Sequence, residues 1–263
     1  VLGMGFVLTP EEAQALIAKN PRNQDCLFPY LNGEDLNSRF DQSPSRWVIN
    51  FHNFPLKRVP WDVIDGAKFI NSDSWFSAYA AWFDSDEWQR KKWLQSGIVP
   101  ADYPDPVAAD YPDLLAIIEE KVKPERAKLI GRNSIGTRRG TMWWLYGGDA
   151  KTLYSTIAGM GRVLVRAQVS RTHAPMFAQV GQVFSMMCIV FPLDKHSDFA
   201  NLQSNLHEIW VNEYSSSLKK DQRYTPSDCF ETFPFPLNLS GLDNIGQRYY
   251  DHRQSIMQTR QEG

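Results

Sequence analysis

The stretch GRVLVRAQVS at residues 161–170 constrains this chain more than any other. Val163, Val165, Ala167 and Val169 fall on one side, and Arg162, Leu164, Arg166, Gln168 and Ser170 on the other. A period of two is the mark of a β-strand with two unlike faces. Such a strand needs neighbours, because its backbone N–H and C=O groups must be paired. MFAQV and QVFSMMCIVF follow at once, divided at Gly181. Three successive strands with short connections predict an antiparallel meander.

Helical patterns flank this core. In TPEEAQALIAKN (9–20), Thr9 suits the N-cap, Pro10 suits N1, and Glu12 at N3 completes a capping box. Asn32-Gly33 is a turn signal, and RWVINF (46–51) reads as a short strand. DLLAIIEEKVK (113–123) is an amphipathic helix burying Leu114, Leu115, Ile117, Ile118 and Val122, ended or kinked by Pro124. PERAKL begins a second helix, and GRNSIGTRRG (131–140) reads as a mobile basic loop. GDAKTLYSTIAG (148–159) predicts a short helix. ANLQSNLHEIWVNEYSS (200–216) predicts another, with Leu202, Leu206, Ile209 and Trp210 inward. YTPSDCFETFPFP is compact and aromatic, and residues 245–263 form a terminal helix. The expected class is α+β. An antiparallel sheet flanked by helices fills residues 1–187, and a small, mainly helical C-terminal domain fills 188–263.

Residues 54–113 differ in character. They hold Trp61, Trp75, Trp82, Trp88 and Trp93, with Pro100, Pro104, Pro106 and Pro112. Residues 74–94 form a helix with aromatics on one side, and 97–112 a Pro-rich connector. The aromatic stripe is read as core or packing lid; a base-stacking platform is the other reading.

Charge is unevenly spread. The chain's net charge is −2, yet residues 115–175 hold 11 basic and 4 acidic side chains. Residues 1–114 carry net −6, and residues 176–263 net −3. A basic middle between acidic flanks suggests a localised polyanion site, with a solvated cationic face as the alternative. Cys26, Cys188 and Cys229 are far apart and form no C-x-x-C, which suggests a reducing, cytoplasmic setting. The five scattered histidines include no H-E-x-x-H, so no metal site is expected. No stretch approaches the roughly 18 apolar residues of a membrane span. The opening VLGMGFVLTPEE does not read as a signal peptide.

Nothing in the chain reads as G-x-G-x-x-G, a P-loop or G-x-S-x-G. Asp113 with Glu119 and Lys121 matches the loose PD…ExK pattern of metal-dependent nucleases, in which carboxylates and a lysine hold Mg²⁺ and polarise water. That pattern normally puts E-x-K on a strand, whereas the spacing here is helical. The basic middle offers binding chemistry instead. Lysine and arginine neutralise phosphates, arginine bridges guanine O6 and N7, and glutamine or asparagine does the same to adenine. Arg166, Gln168 and Ser170 share a strand face with Arg171 and His173 at its tip. They are positioned either to read base edges or to serve a structural strand whose arginines pair with acids.

Four blocks carry a resemblance: residues 30–51 (YLNGEDLNSRFDQSPSRWVINF), 119–126 (EEKVKPER), 182–185 (QVFS) and 206–236 (LHEIWVNEYSSSLKKDQRYTPSDCFETFPFP). In these the chain resembles the C-terminal part of MmeI-like DNA methyltransferases of restriction-modification and phage-defence systems. The resemblance implies a DNA target recognition domain followed by a smaller helical domain. It also implies a bacterial parent enzyme that moves a methyl group from S-adenosylmethionine to the exocyclic amine of adenine. The family's N-P-P-[YF] catalytic motif and its Gly-rich cofactor motif are missing here. The resemblance therefore implies no cofactor in this chain, and double-stranded DNA and an N-terminal methyltransferase domain as partners. Carried over by position, its base-reading pair falls on Arg171 and His173. Arg166 and Gln168 join them from the strand. Lys121, Lys123 and Arg126, in and beside the shared V-K-P-E-R block, and Arg132, Arg138 and Arg139 are the candidate phosphate contacts. Residues 54–113 look like an accessory insertion. A metal-dependent nuclease and a protein-docking domain remain the competing readings.

Overall fold

The structure, a computed structural model, describes residues 3–64, 81–147, 150–218 and 221–263. It is a mixture of helices and small sheets, as the α+β reading expects. Contacts divide the chain into two compact units. One is Val1–Leu27 with Val48–Asp149, and the other Phe28–Trp47 with Ala150–Gly263.

The first unit opens on helix Pro10–Lys19, whose capping box forms as its sequence requires. Thr9 Oγ1 accepts from Glu12 N, and Glu12 Oε2 from Thr9 N at 2.8 Å. The Trp-rich stretch is not one helix. Within the described residues it contains helices Ala81–Asp84 and Glu87–Ser96, with Asp86 capping the second by accepting from Gln89 N. An aspartate two residues past the first helix offers a better start than a continuation. Trp93, Val99, Tyr103 and Val107 form a small core with Trp82 against it, while Trp88 is exposed with Lys92 over its ring. Core is thus the role of Trp82 and Trp93; Trp75 lies outside the described residues.

The expected connector contains strand Ile98–Pro100, which pairs parallel with Lys57–Val59. Arg58 ties the segment together, donating to both carboxylate oxygens of Asp110 at 2.7 and 2.9 Å and to the Tyr103 carbonyl at 3.0 Å.

Helix Pro112–Lys121 buries Leu114 and Ile118, and helix Lys123–Ala127 follows with Pro124 in its first turn, where a missing N–H costs nothing. GRNSIGTRRG is not a loop. Asn133 Oδ1 accepts from Gly136 N at 2.7 Å and starts helix Ser134–Thr141. The sequence's glycines suggested mobility, but Gly136 and Gly140 are the buried positions of that helix. A Cβ at Gly140 would lie 2.9 Å from the Arg126 carbonyl oxygen, so only glycine permits this approach.

In the second unit, strand Arg162–Ala167 is central to three antiparallel strands, between Cys188–Phe191 and Met176–Gln179. The sheet is antiparallel as expected, but it is not a meander. Strand Val183–Phe184 leaves to pair parallel with Leu27–Leu31, at Tyr30↔Val183 and Leu31↔Phe184, and the chain then returns beside Arg162–Ala167. The alternation of the strand holds, but both faces are inside. Val163, Val165 and Ala167 pack with Leu31, Leu36, Ile157 and Met176, whereas Leu164 packs with Phe177, Phe191, Phe199, Leu202, Tyr224 and Cys229.

The Asn32-Gly33 signal starts a short helix, Gly33–Ser38, with Asn32 as N-cap in a capping box with Asp35. The predicted helix at 200–216 is two helices, His196–Leu202 and Asn205–Tyr214, because Ser204 caps the second. That break turns Leu206 and Ile209 outward and leaves His207 and Val211 buried in their place. Helix Lys151–Ile157 forms within the expected 148–159, of which residues 148–149 lie outside the described residues. Helix Asp243–Arg260 ends the unit as expected.

Candidate functional site

Gln168 marks a change of partner within one extended run. Its N–H donates to the Met187 carbonyl at 2.7 Å, and its carbonyl accepts from Tyr224 N at 2.8 Å. Before it, the strand belongs to the three-stranded sheet just described. After it, Val169–Ser170 pairs antiparallel with Asp221–Arg223, which pairs in turn with Ser216–Leu218. Residues 171–174 then form a bend, and the bend and the strand leading into it are held from several directions. Asn37 Nδ2 donates to the Val169 carbonyl at 3.0 Å, Thr172 N to Ser170 Oγ at 3.2 Å, and Gln203 Nε2 to the His173 carbonyl at 2.8 Å.

On this frame the four proposed base readers separate. Arg171 is at the surface, with 89% of its side chain exposed and its Nε 3.4 Å from Asp221 Oδ1. The Gln168 side chain is half-buried. Arg166 and His173 are buried, so in this conformation neither presents a donor or acceptor to a base edge. The sequence put Arg166 on a polar strand face, but that face is the one packed beneath Tyr224.

The buried pair has its own chemistry. Arg166 Nη1 donates to His173 Nδ1 at 2.6 Å, and its guanidinium stacks 4.5 Å from the Tyr224 ring centre. Arginine is only ever a donor, so His173 Nδ1 accepts and its Nε2–H donates to the Leu202 carbonyl at 2.5 Å. His173 stacks on His207 at 5.1 Å, and His207 Nε2 lies 3.1 Å from the Tyr224 hydroxyl. Burial, then the Arg166 charge, pushes the His173 pKa down to about 3, and the same two causes push His207 down to about 4. Burial also pushes Arg166 down to about 10. Both imidazoles are therefore neutral at neutral pH and serve the loop's architecture. His207 and Tyr224 were not singled out as partners of His173, because only the folded chain brings 173, 207 and 224 together.

The candidate phosphate contacts lie in the other unit and also divide. Lys121 is exposed. Lys123 is exposed with its Nζ 2.6 Å from Glu119 Oε1 and 4.9 Å from the Trp143 ring centre. Arg126 is buried over the Phe6 ring and donates to the Trp143 and Leu145 carbonyls at 3.1 and 2.5 Å. It caps a turn and is closed off from a phosphate. Arg132, Arg138 and Arg139 are exposed, the last two in the final turn of helix Ser134–Thr141, where a cation also suits the helix dipole.

The nuclease reading gains no geometric support. Glu119 and Lys121 sit on a helix, Asp113 pairs with Lys19 at 2.5 Å, and Glu119 pairs with Lys123. No group of three potential metal ligands occurs among the described residues. Among the described residues, the glycines at positive φ do not make the strand-to-helix turn of a nucleotide-type site: Gly97, Gly131 and Gly159 follow helices and Gly181 joins two strands.

Residues 165–237 match the sequence family described as MmeI, target recognition domain. Curated protein sequences give no match. Among solved structures, the chain is similar to the Type IIL restriction-modification enzyme MmeI in complex with DNA, with a TM-score of 0.52 and 17% identity over 97% of this chain. The chain spans 26% of that enzyme's length. The match takes in the exposed Arg171, the buried Arg166–His173 pair and the strands Ser216–Leu218 and Asp221–Arg223.

Proposed function

We propose, on the premise that residues 165–237 are a target recognition domain of the MmeI type, that this chain is the DNA-reading part of a restriction-modification enzyme. The observation that carries the reading is Arg171. It is a surface arginine on a backbone held from several sides, inside the matched stretch. The planar fork of a guanidinium suits bidentate contact to guanine, and the held backbone on either side sets where that fork is presented. Gln168 is a second candidate reader beside it. Arg166 and His173 act through the loop they hold.

Lys121, Lys123, Arg132, Arg138 and Arg139 supply sequence-independent attraction to phosphates. All five are exposed and so open to a polyanion. Recognition stays in 1–187, as the sequence suggests, and the strands Ser216–Leu218 and Asp221–Arg223 join it from the C-terminal part. The proposed parent is a bacterial cytoplasmic enzyme. Its preceding methyltransferase domain binds S-adenosylmethionine and methylates adenine at N6.

The test is selection from a randomised duplex pool at two salt concentrations, followed by sequencing of the bound fraction. The reading expects a short enriched motif and an affinity that falls as salt rises. Binding without a motif would leave only phosphate attraction, and no binding at low salt would count against the reading for this chain.

A further inference from the structure

We propose that Asp221 is a specificity-determining partner of Arg171, and that the two side chains together read a single G·C base pair in the major groove. The inference rests on the DNA-recognition reading above and adds a residue and a base preference to it.

The register of the small sheet puts the two residues together. Strand Asp221–Arg223 pairs antiparallel with Val169–Ser170, with Gln222 opposite Ser170 and Arg223 opposite Val169. One further step of the same register brings Asp221 opposite Arg171, at the end where the ladder stops. The side chains meet there, Arg171 Nε to Asp221 Oδ1 at 3.4 Å, with 89% and 37% of their surfaces exposed. Opposite charges directly across a ladder attract, and here the backbone has already set their spacing.

The contact engages the Nε edge of the guanidinium. The Nη1–Nη2 edge remains for a second acceptor pair, and the carboxylate retains lone pairs of its own. Side by side the two groups present donor, donor, acceptor. The major-groove edge of a G·C pair presents N7 and O6 as acceptors and the cytosine N4 amine as donor, in that order. Against A·T the arginine meets the adenine N6 amine, donor to donor, and the carboxylate meets thymine O4, acceptor to acceptor. Both groups thus favour the same base pair and reject its alternative.

Energetics separate this role from a structural one. An ion pair this exposed adds little to stability. A carboxylate beside DNA also repels phosphates, so Asp221 weakens binding to arbitrary sequence. Its benefit lies in discrimination alone, a combination that a residue kept for folding would not show.

The test compares the unmutated chain with Asp221→Asn, Asp221→Glu and Arg171→Ala in the randomised-duplex selection. Thermal melting of each protein checks the fold. The expected motif has a G·C pair at the position that Arg171→Ala relaxes. Asp221→Asn should relax that same position about tenfold, bind unselected duplex as tightly as before or more tightly, and melt at an unchanged temperature. Asp221→Glu should retain the G·C preference. An Asp221→Asn motif identical to the unmutated one, a loss at a different position, or an A·T preference at the Arg171 position would each overturn the pairing and leave the DNA reading standing. Failure of the unmutated chain to enrich any motif would overturn that reading and this proposal with it.

Discussion

Arg166 holds His173 from beneath. Its Nη1 donates to His173 Nδ1 at 2.6 Å, and the opposite imidazole nitrogen donates to the Leu202 carbonyl. The bond joins the central strand to the end of the bend that carries Arg171. The exposed Arg171 and the buried Arg166 are five residues apart and do opposite things, one meeting solvent and the other fixing the frame.

That frame should be sensitive to acid. His173 and His207 have pKa values pushed from 6.5 down to about 3 and about 4. The unfolded chain takes up protons near pH 6.5, while the folded chain keeps both rings neutral until far lower pH. Their contribution is therefore complete above about pH 6.5 and shrinks as pH falls toward the folded values. Urea midpoints measured between pH 7 and pH 4.5 should fall steadily. In His207→Asn the fall should be shallower, and an equal fall in both proteins would remove His207 from the account.

Arg166→Met tests the same bond from the other side. Methionine keeps much of the stem's volume but leaves His173 Nδ1 buried without a donor. Losing a hydrogen bond to a charged group costs about 1.5–3 kcal/mol. The expected result is a lower melting temperature, with DNA binding reduced only as far as the loop loosens. Arg171→Ala should show the reverse, an unchanged melting temperature and a relaxed preference at one base pair.

Much of this was legible in the residues, and what was not shares a cause. Thr9 and Glu12 announce a helix start locally, and the alternation at 161–170 announces a strand. Local chemistry also places Arg171 at a strand tip. Burial of Arg166 was not legible, since it depends on Tyr224 and His207 arriving from far along the chain. The sheet order was hidden for the same reason: strand Val183–Phe184 pairs with a segment about 150 residues earlier. Asn133, Asp86 and Ser204 each start a helix where composition suggested a loop or a continuous helix. The charge of Arg126 points to phosphate, but its burial and three nearby carbonyls decide its role.

Gly140 tests whether the basic segment is a packed helix. An ideal Cβ there would lie 2.3 Å from Ile130 Cγ1 and 2.9 Å from the Arg126 carbonyl oxygen. The isoleucine can turn away, but the backbone carbonyl cannot. Gly140→Ala should therefore destabilise the protein by about 1–3 kcal/mol, the usual cost of overpacking. Helix propensity alone would favour alanine, so a stabilised variant would show that Ser134–Thr141 does not pack as described.

Salt dependence separates the cations that contact DNA from those that fold the chain. Each lysine or arginine that neutralises a phosphate releases condensed counterions, and its removal lowers the slope of log affinity against log salt by about 1. Arg132, Arg138 and Arg139 are exposed and make no ion pair among the described residues. Replacing each by glutamine should flatten the slope and weaken binding to all sequences alike, with the selected motif unchanged. Lys123→Gln should do less, because Glu119 already neutralises part of its charge. Arg126→Gln should behave differently again. Its guanidinium is buried against the Trp143 and Leu145 carbonyls, so the variant should lose stability, and the slope of whatever protein remains folded should be that of the unmutated chain. A flattened slope in Arg126→Gln at full stability would restore that residue to the phosphate contacts and require the 142–146 turn to open on binding.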